Sequence, residues 1–99
     1  MYLIREVLYC KPGKVRSLVD KFKALNTVIE EMGYKPFRIY TDVGGERFWT
    51  LVLESEAESV DANREMEATV MANKKAQDAM DGYHDLVIEG RREIYTGEV

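Results

Sequence analysis

The first ten residues have the pattern of a buried strand. From Tyr2 to Cys10, apolar side chains fall on both faces of an extended chain, and only Arg5 and Glu6 interrupt them. Strands that are apolar on both faces are typical of sheet centres that are covered on both sides. The pattern therefore predicts a central strand over residues 2–10.

A long amphipathic helix is predicted next. Lys11-Pro12-Gly13-Lys14 ends the strand, and proline is tolerated in the first turn of a helix because its missing N–H leaves no bond unmade there. Gly33 is a typical residue for the helix end. Between these two points an apolar stripe runs at helical spacing for about five turns. It consists of Val15, Leu18, Val19, Phe22, Leu25, Ile29 and Met32.

A hairpin of two strands is predicted after this helix. Residues 37–43 alternate between apolar and polar side chains, which indicates a second strand. Gly44-Gly45 has the composition of a two-residue turn. Residues 47–54 are again apolar on both faces, so we expect a third strand that lies in the centre of the sheet.

The second helical region is predicted to begin at Ser55. A Glu at position 58, three residues later, completes a capping box with that serine. The apolar stripe of this region is interrupted at Asn73. We therefore expect a kink or a break near Asn73 or at Asp81-Gly82.

A last short strand is predicted over residues 91–97, with Ile94 and Tyr95 as its core candidates. The element order β-α-β-β-α-β is that of the ferredoxin-like fold. Right-handed crossovers place both helices on one face of a four-stranded antiparallel sheet. The chain is therefore predicted to be a single α+β domain over residues 1–99, a length that suits one hydrophobic core.

The sheet face opposite the helices is predicted to be apolar as well. It carries one of two sets from the first strand, either Tyr2, Ile4 and Leu8 or Leu3, Val7 and Tyr9. Contiguous apolar surface of that size is rare on a monomer. Two sheets that pair face to face would remove it, so we expect a homodimer.

The chain resembles the dimeric α+β barrel superfamily, most closely its NIPSNAP-like and antibiotic-biosynthesis-monooxygenase-like groups. The similarity lies in a charged first strand, Ile4-Arg5-Glu6-Val7, and in Lys11-Pro12-Gly13-Lys14 at the start of a long helix. An aromatic hairpin and an interrupted second helix follow. The resemblance implies a homodimer whose two sheets close into a barrel, with ligand clefts between a sheet and its helices.

The resemblance does not choose one function, because its members include cofactor-independent monooxygenases, haem-degrading enzymes, lyases, isomerases and ligand-sensing domains. The haem-degrading members are expected to use an Asn on the first strand, a Trp, and a His on the second helix. Trp49 and His84 are present here, but the first strand contains no Asn. That departure argues against haem, and we expect no bound cofactor.

Composition narrows the range of partners. A net charge of −4 suits neither nucleic acid nor an anionic membrane surface, because both require clustered Lys and Arg. No apolar run has the length of a membrane span. Cys10 is the single cysteine, so an internal disulfide is impossible and a reducing cytoplasm is the expected location.

The candidate site residues each have a structural alternative. Arg5 and Glu6 point to opposite faces of the strand, either as substrate-binding charges or as ion pairs with Arg91, Arg92 or Glu93. The aromatic candidates either line a ligand pocket or pack in the core and at the dimer interface. They are Tyr40, Trp49 and Tyr83.

His84 is the only histidine, and it is either a general base or a surface residue. Cys10 is either a nucleophile with His84 as its base or an inert buried thiol, and the latter is the more common case. One His and one Cys far apart give no ligand spacing for a metal, so no metal site is predicted.

Two hypotheses of function follow. The first is a small-molecule-binding protein or a cofactor-independent, monooxygenase-like enzyme. Its cleft would use Arg5 or Glu6 together with Tyr40, Trp49 and His84. The alternative is a non-enzymatic sensing or protein-interaction module whose core is filled. The sequence leaves open whether any reaction is catalysed.

Overall fold

The computed structural model describes residues 1–98, and its helices and strands follow the predicted order. All strand pairs are antiparallel, and the order across the sheet is β2-β3-β1-β4, so β1 and β3 are central as expected. The α+β class and the ferredoxin-like topology are therefore confirmed. The elements are β1 (Tyr2–Cys10), α1 (Val15–Glu31), β2 (Arg38–Thr41), β3 (Thr50–Ala57), α2 (Val60–Met71), α3 (Lys74–Ala79) and β4 (Val87–Thr96).

The hydrophobic core lies between the three helices and one face of the sheet. Leu18 and Ile29 from α1 meet Leu51 and Leu53 from β3, and all four side chains are fully buried. The apolar stripe predicted for α1 is the face that packs here. Burial of each such side chain stabilises the fold by roughly 1.5–3 kcal/mol. No helix within residues 1–98 is long and apolar enough to cross a membrane.

Both ends of α1 are shaped by residues that follow from the sequence. Gly33 has a φ of +87°, the left-handed conformation that ends helices and that glycine adopts without steric strain. Pro12 lies in the turn before the helix, whose N-cap is Lys14, so its predicted place in the first helical turn is wrong. Asn26 then fixes the entry to β2, because its side-chain amide exchanges two 2.9 Å hydrogen bonds with the backbone of Phe37.

The predicted two-residue turn between β2 and β3 is wrong. Residues 42–49 form a longer loop, and β3 begins at Thr50. Asp42 closes this loop by accepting a 2.8 Å hydrogen bond from the Thr50 amide. Trp49 has a φ of +60°, which turns the chain out of the extended conformation just before β3. Phe48 and Trp49 are therefore exposed loop residues rather than strand residues.

The second helical region begins four residues later than predicted. Ser55 remains in β3 and pairs with Ile4, because β1 continues the ladder as far as Ala57. Ser59 caps α2 instead, and its hydroxyl accepts a 3.0 Å hydrogen bond from the Ala62 amide. The predicted interruption is confirmed, since Asn73 separates α2 from α3 and caps the latter.

The last strand is longer than predicted, because it begins at Val87 rather than at Arg91. Gly90 permits this extension, since a Cβ atom at that position would lie 2.7 Å from Leu8 Cδ2 on the neighbouring strand. Ile94 and Tyr95 were predicted as core candidates and are not buried. Ile94 is 41% exposed because it lies on an edge strand that the helices leave largely uncovered, and Tyr95 is 50% exposed because it faces the open side of the sheet.

Candidate functional site

The two adjacent charges of β1 lie on opposite faces of the sheet, as the strand pattern predicted. Glu6 faces the helices together with Leu8 and Cys10, whereas Arg5 faces the open side with Val7. The candidates are therefore divided between separate surfaces. The helix side also receives Tyr83, and the open side also receives Tyr40.

The helix-side cavity has a volume of about 310 Å³ and lies between the sheet and the helices. Its walls are mostly apolar, which is typical of sites for small organic molecules. The sheet side contributes Leu8 and Leu53, and Phe37 comes from the segment before β2. The helical side contributes Phe22, Leu25, Ile29, Met66, Val70 and Met80.

One wall of this cavity carries a group of three charged side chains, which we call the charged triad and which consists of Glu6, Glu67 and Arg92. Arg92 Nε donates to Glu6 Oε1 at 3.1 Å, and Arg92 Nη2 donates to Glu67 Oε1 at 3.0 Å. Asn63, which is almost fully buried, donates to the same Glu67 oxygen at 3.2 Å. The triad therefore links β1, β4 and α2 at the cavity wall.

The triad has one positive and two negative charges. Burial disfavours the charged guanidinium of Arg92, but hydrogen bonds and the charges of Glu6 and Glu67 outweigh it, so the pKa of Arg92 is raised. Arg92 is thus charged at any pH at which the protein is folded. With both carboxylates ionised, the triad has a net charge of −1.

The sequence predicted part of this triad. An ion pair between β1 and β4 was one of the two interpretations of Arg5 and Glu6, and both pairs are present, Glu6 with Arg92 and Arg5 with Glu93. Glu67 was missed. It lies on a polar position of α2, and no pattern along the chain indicates which strand residue that position faces.

The open face of the sheet carries a larger ionic network. Arg5 bridges the neighbouring strands, with Nε 3.1 Å from Glu54 and Nη1 2.9 Å from Glu93. Hydrogen bonds from Arg91 and Tyr95 lower the pKa of the Glu93 carboxyl. The Arg5 guanidinium is thus held by two ion pairs within residues 1–98, which is a structural role.

The open-face recess, of about 270 Å³, lies where the loop 42–49 folds back over the sheet. At its floor the Arg47 guanidinium lies 3.9 Å from the centre of the Tyr9 ring, a cation–π contact, and Arg91 donates to the Tyr9 hydroxyl. Tyr9 and the neighbouring Val7 are both buried, even though no helix covers this face. Tyr40 lines the rim and is half exposed.

Trp49 and His84 lie outside both of these cavities. Trp49 lines a third recess of about 280 Å³ with Val15 and Phe48. His84 is exposed on a short 3₁₀ turn at Tyr83–Asp85, and its ring centre is 3.9 Å from that of Tyr83. His84 therefore contacts the candidate Tyr83 but lines neither of the two cavities.

Cys10 has the environment of an unreactive thiol. It is buried at the end of β1, and burial together with the nearby charge of Asp42 raises the pKa of its thiol. The structure also gives no cluster of three or more His, Cys, Asp and Glu residues suited to a metal ion within residues 1–98.

Comparison with known proteins gives a fold and no assigned activity. No protein-family model matches the chain, and no curated protein matches it either. Among solved structures, a NIPSNAP family protein of unknown function from Agrobacterium tumefaciens aligns with a TM-score of 0.80 at 16% identity. The alignment covers 96% of this chain and 86% of that protein.

Two further structures extend this result. An uncharacterised NIPSNAP domain protein from Burkholderia xenovorans has a TM-score of 0.80 at 11% identity, covering 99% of this chain and 95% of that one. A proposed antibiotic biosynthesis monooxygenase from Nitrosomonas europaea has a TM-score of 0.70 at 19% identity, covering 98% of both chains. The expected resemblance to both groups is thus confirmed as a shared fold.

Proposed function

We propose that the chain is a small-molecule-binding protein whose ligand occupies the helix-side cavity. The observation that carries this proposal is the combination of an apolar cavity of about 310 Å³ with a charged triad on one wall. A well-filled core would have favoured the alternative, a module without a ligand. Apolar walls bury the body of a ligand, and a few convergent polar groups fix its orientation.

Within this proposal, Glu6 and Tyr83 are the predicted candidates that touch the ligand. Both line the cavity, and Tyr83 supplies a flat aromatic surface to its wall. Arg5 and Tyr40 belong to the open face, where we assign them to an interface instead. Trp49 and His84 have no role in the proposed site.

The binding proposal is tested with 1-naphthalenemethanol, a neutral probe that has a rigid apolar body and one hydroxyl group. Titration calorimetry with the unaltered protein is expected to give one saturable site per chain. Met66→Trp, which adds volume at a half-buried lining residue, is expected to abolish binding. Met32→Trp is the matched control, since Met32 is half-buried against the core but does not line the cavity.

Folding of both tryptophan variants is checked by circular dichroism and by urea denaturation. Absence of binding to the unaltered protein would refute the proposal. Equal binding by Met66→Trp and the unaltered protein would place the probe elsewhere on the molecule.

A second candidate function is a cofactor-independent oxygenase, and Glu6 is the observation that favours it. The solved neighbour from Nitrosomonas europaea is a proposed antibiotic biosynthesis monooxygenase. Such chemistry begins with proton abstraction from the substrate, and Glu6 offers a carboxylate at the cavity wall. Oxygen uptake with 1,5-dihydroxynaphthalene would support it if Glu6→Gln abolished the uptake and retained binding. No uptake with the unaltered protein would leave binding as the function.

We also propose that two copies of the chain pair through the open faces of their sheets. The ion pairs of this face join four arginines to four glutamates, so the paired charges balance and allow a second copy to approach. Tyr40 and Tyr95 lie on the same face and are about half exposed in the single chain. Half-exposed aromatics with a polar tip are enriched at interfaces.

We propose a cytoplasmic location as well, since the lone Cys10 suits a reducing compartment.

A further inference from the structure

We infer that the helix-side cavity selects ligands whose polar end is a cation or a hydrogen-bond donor, and that it disfavours carboxylates. This inference rests on the proposed binding function and names the chemical class of the ligand. Its basis is the charged triad formed by Glu6, Glu67 and Arg92, which is the ionic group on the cavity wall.

The first step is the charge balance at the wall. Arg92 is the cation of the triad, and it is shared between two carboxylates. A ligand carboxylate would meet a net charge of −1, whereas a ligand ammonium would be attracted to it. The side chains of Glu6, Glu67 and Arg92 are 25%, 30% and 40% exposed, respectively. Water therefore screens their interaction with a ligand charge only in part.

The second step is the supply of free hydrogen-bonding atoms. Arg92 uses Nε and Nη2 on the glutamates, and both glutamates accept these bonds through Oε1. Asn63 donates to Glu67 Oε1 as well. Within residues 1–98 the Oε2 atoms of the two glutamates accept no hydrogen bond and offer about four acceptor sites, against about two N–H groups on the remaining guanidinium nitrogen. Acceptors therefore outnumber donors, and a donating ligand is the better match.

The third step is the shape of the remaining wall. Phe22, Leu25 and Met66 with their neighbours make most of the cavity surface apolar. A ligand that fills it must bury a hydrocarbon body and keep its donor group at the triad. The class is thus an apolar or aromatic molecule that ends in a protonated amine or a hydroxyl group.

The test compares three probes that share one ring system. They are 1-naphthylmethylamine, 1-naphthalenemethanol and 1-naphthoic acid, each titrated calorimetrically at pH 7 into the unaltered protein. We expect the amine to bind about ten-fold tighter than the acid, a ratio reduced from the Coulomb value because the triad is part-exposed. The alcohol is expected to lie between them.

Matched charge variants assign the preference to the triad. Glu67→Gln leaves one carboxylate against Arg92 and is expected to remove most of the amine-to-acid ratio. Glu93→Gln makes the same change on the opposite face of the sheet and is expected to preserve the ratio. It controls for attraction of the amine to an acidic protein of net charge −4.

The outcomes separate this inference from the proposed function. Suppose that the alcohol binds and that the affinity of the acid equals or exceeds that of the amine. The inference is then overturned, and the binding function stands. If none of the probes binds, the binding function fails and the inference fails with it. An amine preference that survives in Glu67→Gln would also overturn the assignment to the triad.

Discussion

Two serines near the end of β3 have the same side chain and opposite effects on stability. Ser59 caps α2 through the Ala62 amide, whereas the Ser55 hydroxyl is buried without a hydrogen-bond partner within residues 1–98. Ser59→Ala is therefore expected to lower the free energy of unfolding by about 1 kcal/mol. Ser55→Ala removes an unsatisfied polar group and is expected to be neutral or stabilising.

Urea denaturation of the two alanine variants and the unaltered protein measures this difference directly. Each substitution removes one hydroxyl oxygen, so each variant serves as the control for the other. If Ser55→Ala were the more destabilising of the two, the helix start at Val60 would have to be revised.

The Glu93 carboxylate is expected to make stability depend on pH in the acid range. Its pKa is lowered in the folded protein by hydrogen bonds from Arg91 and Tyr95. Its contribution is thus fully present above the ordinary glutamate pKa of about 4.3 and is lost as the pH falls through the folded value. The stability difference between the unaltered protein and Glu93→Gln should therefore shrink below that pH.

This pH dependence is measured as the urea midpoint from pH 3 to pH 7. Glu30→Gln is the control, because Glu30 is exposed on α1 and forms no ion pair with the part of the chain that is described. A Glu93→Gln difference that stays constant across the range would contradict the ion-pair geometry of the open face.

The sheet face on which a charged side chain lies could be predicted from the sequence where it depends only on strand alternation. Neighbouring residues of a strand face opposite sides, so Arg5 and Glu6 had to be separated. Their partners on β4 followed from the topology. The role of Glu67 could not be predicted, because it depends on how α2 is rotated over the sheet, and neither the helix start nor its packing is encoded locally.

At the scale of the helices, the end of α1 depends on one glycine. Gly33 has a φ of +87°, and a Cβ atom there would meet nothing within 4 Å. Gly33→Ala is therefore expected to destabilise the protein by about 1 kcal/mol through backbone strain alone. Gly44→Ala is the matched control, because Gly44 is equally open and is not among the glycines with positive φ.

Thermal unfolding of both glycine variants tests this account. A loss of about 1 kcal/mol corresponds to roughly 4–8 °C in Tm for a chain of this size. An unchanged Tm in Gly33→Ala would mean that the helix ends in another way, for example by continuing into residues 34–37.

Element prediction succeeded where periodicity is long and failed where tertiary pairing sets a boundary. The stripe of α1 extends over five turns, so its face and its ends could be predicted. Gly44-Gly45 lies inside a longer loop because the side chain of Asp42 bonds the Thr50 amide. The start of β4 at Val87 depends on close contact between Gly90 and Leu8, which no local pattern contains.

For the whole molecule, the two sheet faces now have different roles in our proposals. The helix side holds a cavity, and the open side holds an ionic network in which Val7 and Tyr9 are already buried. The apolar patch expected from the sequence is therefore partly covered within one chain. A dimer would have to be held by the exposed rim of this face and by its charges, rather than by a bare apolar surface.

That view leads to a prediction about two tyrosines. Tyr40 and Tyr95 are exposed on the open face, so replacing both with alanine should leave the single chain folded. If two copies pair through this face, the double variant should weaken the dimer by about a thousand-fold or more, because two buried interface tyrosines at about 2 kcal/mol each contribute about 4 kcal/mol. Tyr34→Ala is the control, because Tyr34 is exposed in the turn after α1, outside the sheet.

Sedimentation at micromolar concentration distinguishes the outcomes. The unaltered chain and Tyr34→Ala are expected to sediment at twice the chain mass of 11.4 kDa, and the double variant closer to the single mass. Salt should weaken the dimer as well, because charges at the rim of the interface are screened. An unaltered chain that sediments at the single mass would refute the pairing proposal. It would leave the cavity proposal intact, since every residue of the charged triad belongs to one chain.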